Sequence, residues 1–103
     1  MSNVDFEKNE REEIRWRALK ILHAGGPWPV SEGIVQAAMS DAALRVTPTQ
    51  LRKELGYLEA KGLVQIHGRD GPTWQPQLTA HGIDVVEYVA PCPTGIARPA
   101  KWF

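Results

Sequence analysis

Between Thr47 and His67 the chain reads TPTQLRKELGYLEAKGLVQIH, a capped helix that halts on a glycine and leaves at once as a strand. Thr47 is an N-cap residue, Pro48 occupies the first helical position, where its missing N–H costs nothing, and Gln50 completes a T-x-x-Q capping box. Leu51, Leu55 and Leu58 recur at i, i+4 and i+7, which on a 3.6-residue period makes one narrow apolar stripe. That stripe has to face a core. The opposite side carries Thr49, Lys53, Gly56 and Ala60, with Arg52 and Tyr57 on its flanks, and none of these is a strong core former. Gly62 supplies a residue past the helix end that accepts positive φ, and Leu63-Val64-Gln65-Ile66 alternates as a half-buried strand does.

The run LRKELGYLEAKGLV resembles the recognition helix and first wing strand of winged helix-turn-helix proteins, in which a leucine-striped helix ends in Lys-Gly-Leu-Val and enters a β-hairpin. In that respect it is similar to bacterial transcriptional regulators of the MarR, PadR and ArsR kinds. The resemblance extends more loosely over 12–89 and lies at the level of the fold. It implies a mainly α protein with a small β-hairpin: a three-helix core, a wing and a C-terminal helix. The winged-helix domain then spans 12–90, between a polar N-terminal extension at 1–11 and a Pro-rich tail at 91–103.

The flanking segments fit that scheme. A helix is expected from about Glu10, with Glu10, Glu12 and Glu13 at the positive end of its dipole and Lys20 and His23 near the other. Ile14, Ala18, Ile21 and Leu22 form one apolar stripe; Trp16 and Leu19 fall on another side, so a second face needs cover from a C-terminal helix or a second subunit. Gly25-Gly26-Pro27-Trp28-Pro29 ends this helix. Trp28 is expected to plug the core, the alternative being an exposed contact, and Trp28 to Val30 is a candidate short strand beside the wing. Ser31 caps a second helix with Ile34, Val35, Ala38 and Met39 inward, and 40–46 is an ambiguous connector. Beyond the Gly68–Gly71 turn, Thr73 to Leu78 is the return strand, and Pro76 requires an edge or a kink there. Thr79 caps a last helix striped by Ile83, Val86 and Val89, with Val85 and Tyr88 alongside. The tail PCPTGIARPAKWF excludes continuous helix, and with its closing Trp102-Phe103 it either folds back on the domain, anchors a partner or stays disordered.

Catalysis finds no support. The three histidines and the single Cys92 show no metal-ligand spacing, and there is no phosphate loop, G-x-S-x-G or H-E-x-x-H. No cofactor or metal is expected. The chain lacks a transmembrane run and its acidic start does not read as a signal peptide, so a cytoplasmic location is expected.

Under the winged-helix resemblance, duplex DNA is the expected partner, with helix 47–61 in the major groove and the Gly68–Gly71 turn on the neighbouring backbone. Thr47, Thr49 and Gln50 are placed for base edges or phosphate, Arg52 and Lys53 for phosphate or guanine, Tyr57 for phosphate from the flank, and Arg69 at the wing tip. Each has a plainer explanation: the capping box for Gln50, helix solvation for Lys53, a polar turn for Arg69. Charge qualifies the reading, since Lys+Arg and Asp+Glu both total 12. Residues 45–76 are only mildly basic, with five basic side chains against three acidic. The alternative is a winged helix that binds protein, with aromatic anchors at its interface. Trp16, Leu19, Tyr88, Trp102 and Phe103 are the candidate dimer or partner interface.

Overall fold

A capped, leucine-striped helix feeding a hairpin is what the chain builds. The computed structural model describes residues 5–101, ordered α1 (Phe6–Ala24), α2 (Glu32–Asp41), α3 (Pro48–Ala60), β1 (Val64–His67), β2 (Gln75–Leu78) and α4 (Ala80–Val86). It is a winged helix: mainly α, with β1 and β2 paired antiparallel as the wing. The Thr47 hydroxyl accepts from the Gln50 N–H at 3.1 Å, and Leu51, Leu55 and Leu58 are buried against α1, α2 and the wing. Gly62, at φ +76°, closes α3: its N–H donates to Glu59 O and that of Leu63 to Leu58 O, the paired reverse bonds of a Schellman stop. The chain therefore leaves the helix already aimed into β1.

Pro76 stands in the middle of β2, opposite Ile66, without interrupting the ladder. In a strand the N–H and C=O of one residue point to the same side. The Pro76 carbonyl accepts from the Val30 N–H at 2.9 Å, so its missing N–H also lies on that outer side, away from β1. Trp74 O takes the Glu32 N–H of α2 in the same way; the 28–30 segment forms no strand, and its contact with the wing backbone is the single bond at Val30. On the far edge the Ile66 N–H is satisfied by Glu59 Oε2 at 2.9 Å.

Several expectations need correction. Helix α1 starts at Phe6, capped by Asp5, ahead of the start expected near Glu10. Trp28 does not plug the core; it is 72% exposed, because its segment runs along the outer edge of β2, held there by Gln77 Nε2 donating to Pro27 O. In α2 the inward residues are Val35 and Met39, whereas Ile34 is exposed. Helix α4 stops at Val86, with Tyr88 left-handed at φ +62°, so the stripe of Ile83, Val86 and Val89 does not form. Gly82 and Val85 are the buried residues of α4, and Val89 is exposed.

That early stop settles the second face of α1. Trp16 and Leu19 were candidates for a partner interface, yet both are buried by their own chain. The turn after α4 brings Tyr88 edge-on to Trp16, ring centroids 6.3 Å apart, and the half-buried Tyr88 donates to Pro99 O at 2.8 Å. The 91–101 segment is irregular, as its prolines require, but it belongs to the domain: Ala97 N–H donates to Glu12 O of α1 and Ile96 is buried. Trp102 and Phe103 lie outside the described residues.

Beneath this strap is a buried ion pair. Glu54 of α3 is 1% exposed; Arg15 of α1 donates from Nε to Glu54 Oε1 at 2.8 Å and from Nη1 to Gly95 O at 2.9 Å. The same guanidinium lies 3.6 Å from the Tyr57 ring centroid, and Tyr57 O–H donates to Thr94 O. Glu54 Oε2 has no partner among the described residues.

Two stability outcomes follow. Removing Arg15 leaves a buried, unpaired carboxylate, so Arg15→Met should cost roughly 3–5 kcal/mol in urea unfolding, while adding Glu54→Leu should recover much of it. Gly82, in the first turn of α4, tests a second point, since a Cβ there would lie 2.1 Å from Leu63 O. Gly82→Ala should lower the thermal midpoint, although alanine is favoured in a helix by about 1 kcal/mol.

Candidate nucleic-acid interface

The outward side of α3 carries Thr49, Lys53 and Gly56 along its midline and Arg52 at one edge. Thr47, Thr49 and Lys53 are exposed; Gln50, Arg52 and Gly56 are half-buried. Arg69 from the wing turn reaches back over the helix, its Nη2 lying 3.8 Å from the point a Gly56 Cβ would occupy. Gly56 is four residues from Arg52 and three from Lys53, the helical neighbour spacings. Arg52 and Lys53 thus sit one turn before the glycine over which Arg69 reaches.

Arg52 is held by a bond network that ties three elements together. Its Nε donates to Glu32 Oε1 at 2.8 Å and its Nη2 to Glu32 Oε2 at 2.7 Å, a two-pronged pair between α3 and the start of α2; Nη2 also donates to Pro72 O at 3.1 Å. Glu32 Oε2 accepts the Trp74 N–H at 2.6 Å. The Trp74 ring lies under two guanidinium groups, 4.7 Å from Arg52 and 4.4 Å from Arg69, while its indole N–H donates to Arg69 O. Arg69 meets Glu59 at 3.5 Å with both side chains substantially exposed, a contact worth at most about 1 kcal/mol and screened by salt. The hydrogen bonds from Arg52 hold the Glu32 carboxyl below the usual carboxylate range, helped by the Trp74 N–H and opposed by burial; Glu32 in turn raises Arg52.

Two depressions flank the helix. One, of about 570 Å³, lies between α2, α3 and the wing and includes Glu32, Gln36, Thr49, Arg52 and Thr73. The other is lined by Thr47, Thr49, Gln50 and Lys53 together with Glu7, Glu10 and Arg11 of α1. Thr49 borders both. Lys53 forms no ion pair among the described residues.

Of the residues singled out in the sequence, Arg52 lines the depression beside the wing, Thr47, Gln50 and Lys53 line the one beside α1, Thr49 borders both, and Arg69 reaches over Gly56. Tyr57 does not: it is turned to the 94–95 strap and Arg15, where it packs rather than facing outward. Glu32, Glu59 and Trp74 are the participants that the sequence alone leaves unmarked. Glu32 is 20 residues from Arg52 and 42 from Trp74, beyond the reach of any helical or strand periodicity. Among the described residues no group of three His, Cys, Asp or Glu side chains is placed to hold a metal ion, and no helix is long and apolar enough to cross a membrane.

No protein-family profile matches this chain, and no curated protein matches it. Among solved structures, the complex structure of hsRosR-S1 is similar, with a TM-score of 0.60 at 24% identity. The match covers 73% of this chain and 65% of that one, so the likeness spans just under two thirds of the neighbour. It is a likeness of fold alone.

The clasp between Glu32 and Arg52 gives stability a definite pH dependence. Because the folded-state pKa of Glu32 is lowered, its contribution is complete above the carboxylate range of the unfolded chain and is lost as pH falls through the lowered value. The gap in urea midpoint between the wild type and Glu32→Gln should therefore be widest near neutral pH and close on acidification.

Proposed function

We propose that the protein is a small DNA-binding winged-helix regulator that lays α3 in the major groove and sets the Gly68–Gly71 turn on the adjacent backbone. The observation that carries this reading is the outer side of α3, which carries Lys53 and, at its edge, Arg52, with Arg69 of the wing turn reaching back over Gly56. A neutral chain can still attract a polyanion where its cations are gathered on one surface. Local carboxylates moderate the charge, since Glu32 and Glu59 face Arg52 and Arg69. The weak, exposed Arg69–Glu59 contact is easily exchanged for a phosphate, and Lys53 needs no release at all. Thr49 and Gln50 add uncharged hydrogen-bonding groups at the N-terminal end of the helix, where base edges are reached in helix-turn-helix docking. The structural neighbour hsRosR-S1 agrees with this reading at the level of fold. A homodimer on two successive grooves needs a surface other than Trp16 and Leu19, which the chain covers itself.

A protein-binding role is the second reading, and it is favoured by Trp28, an exposed tryptophan between two prolines that contributes nothing to the core.

Fluorescence anisotropy with a mixed-sequence duplex separates the two. Micromolar binding at about 50 mM salt should weaken several-fold at about 200 mM as counterions are released, and should be lost when Arg52, Lys53 and Arg69 are all changed to alanine. Absence of binding at the lower salt would overturn the DNA reading in favour of protein recognition.

A further inference from the structure

An arginine has five N–H donors: one on Nε and two on each Nη. Three of those on Arg52 are already engaged, the Nε hydrogen by Glu32 Oε1 and both Nη2 hydrogens by Glu32 Oε2 and Pro72 O. Only Nη1 is left. Reading a guanine through O6 and N7 takes donors from two different nitrogens of the fork, and Nη1 alone cannot supply them. A phosphate oxygen needs only one nitrogen, so Nη1 remains a competent phosphate donor. Lys53, one residue on, makes no ion pair among the described residues, and it lines a depression with Thr49 and Gln50 in which Glu7 and Glu10 also stand.

We propose that Glu32 is a positioning residue for recognition: by occupying the Arg52 fork it makes Arg52 a phosphate contact and leaves base reading on α3 to Lys53 with Thr49 and Gln50. This rests on the DNA-binding reading above and deepens it. Glu32 also accepts the Trp74 N–H, so the carboxylate that sets the Arg52 fork also holds the wing beside α3. Arg52 is further restrained by the Trp74 ring, which keeps its guanidinium plane from turning freely toward a base. Specificity is then set by a residue that itself need not touch DNA.

The test is selection of bound duplexes from a random-sequence library by the full chain and its variants, with salt-dependent anisotropy on the winning duplex. Wild type should yield a sequence motif. Arg52→Gln should keep that motif, bind about three- to tenfold more weakly, and show a salt slope shallower by about one. Lys53→Gln should alter or erase the motif. Glu32→Gln keeps the side-chain shape but frees the fork, and should add a guanine preference that disappears in the Glu32→Gln/Arg52→Gln double variant. A motif that moves in Arg52→Gln, or a Glu32→Gln variant that selects the wild-type motif unchanged, overturns the assignment. Should Glu32→Gln fail to fold, as judged by circular dichroism, the Arg52 and Lys53 variants decide the matter alone. A wild-type pool with no sequence bias overturns the assignment while leaving DNA binding in place; a wild-type protein that retains no duplex overturns both.

Discussion

A carboxylate buried in the middle of a helix has to be answered by a cation, and in this chain Glu54 is answered by Arg15. Taking two charges from water costs several kcal/mol each, so their pairing is poor evidence of net stability, but it is strong evidence of geometry. With Arg15 Nε 2.8 Å from Glu54 Oε1, Nη1 and the flat face of the guanidinium are left to be satisfied. Gly95 O and the Tyr57 ring satisfy them, and both belong to the junction with the C-terminal strap. A side chain on Gly95 would run into the Tyr57 hydroxyl, so the strap passes there with glycine at φ +96°. One ion pair thus sets α1, α3 and the strap in register.

Arg15 and Arg52 divide the roles of α3. On the inner side the helix is fastened by leucines and by a buried pair; on the outer side it is fastened to α2 and the wing by a pair that stays partly in water. The outer pair stands over Trp74, and Arg69 lies on the same ring, so the wing turn and the helix share an aromatic support. The carboxylates around α3 hold fixed positions, Glu54 buried against Arg15, Glu32 engaged by Arg52 and Glu59 meeting Arg69, whereas Lys53 makes no ion pair among the described residues.

The elements governed by neighbours in sequence were legible without coordinates. The Thr47 cap, Pro48 at the helix start, the leucine stripe and the Gly62 stop each act within four or five residues, and each is found as read. Pro76 was legible in part, because a missing N–H demands an outer side, although which side only the sheet could decide. The reading failed where a pattern met a boundary set from afar. The stripe of Ile83, Val86 and Val89 assumed a helix that runs on, whereas the chain turns at Tyr88 so that its ring can reach Trp16, 72 residues earlier. Trp28 looked like core because tryptophan is large and apolar, but its backbone is held to the wing edge and its ring faces outward.

By itself, then, the amino-acid sequence determined the helix caps and stops, the inward face of α3 and the hairpin, because these depend on φ preferences and periodicities short enough to read along the chain, while the winged-helix class rested on the resemblance carried by LRKELGYLEAKGLV. Tertiary structure alone decided that Trp16 and Leu19 are covered from within, that Tyr57 packs on the strap, and that Glu32 grips Arg52 and Trp74. Those contacts join residues between 20 and 72 positions apart, and hydrogen-bond valence is used up only when the partners arrive in space. Which cations on α3 remain free to act is accordingly a property of the folded protein.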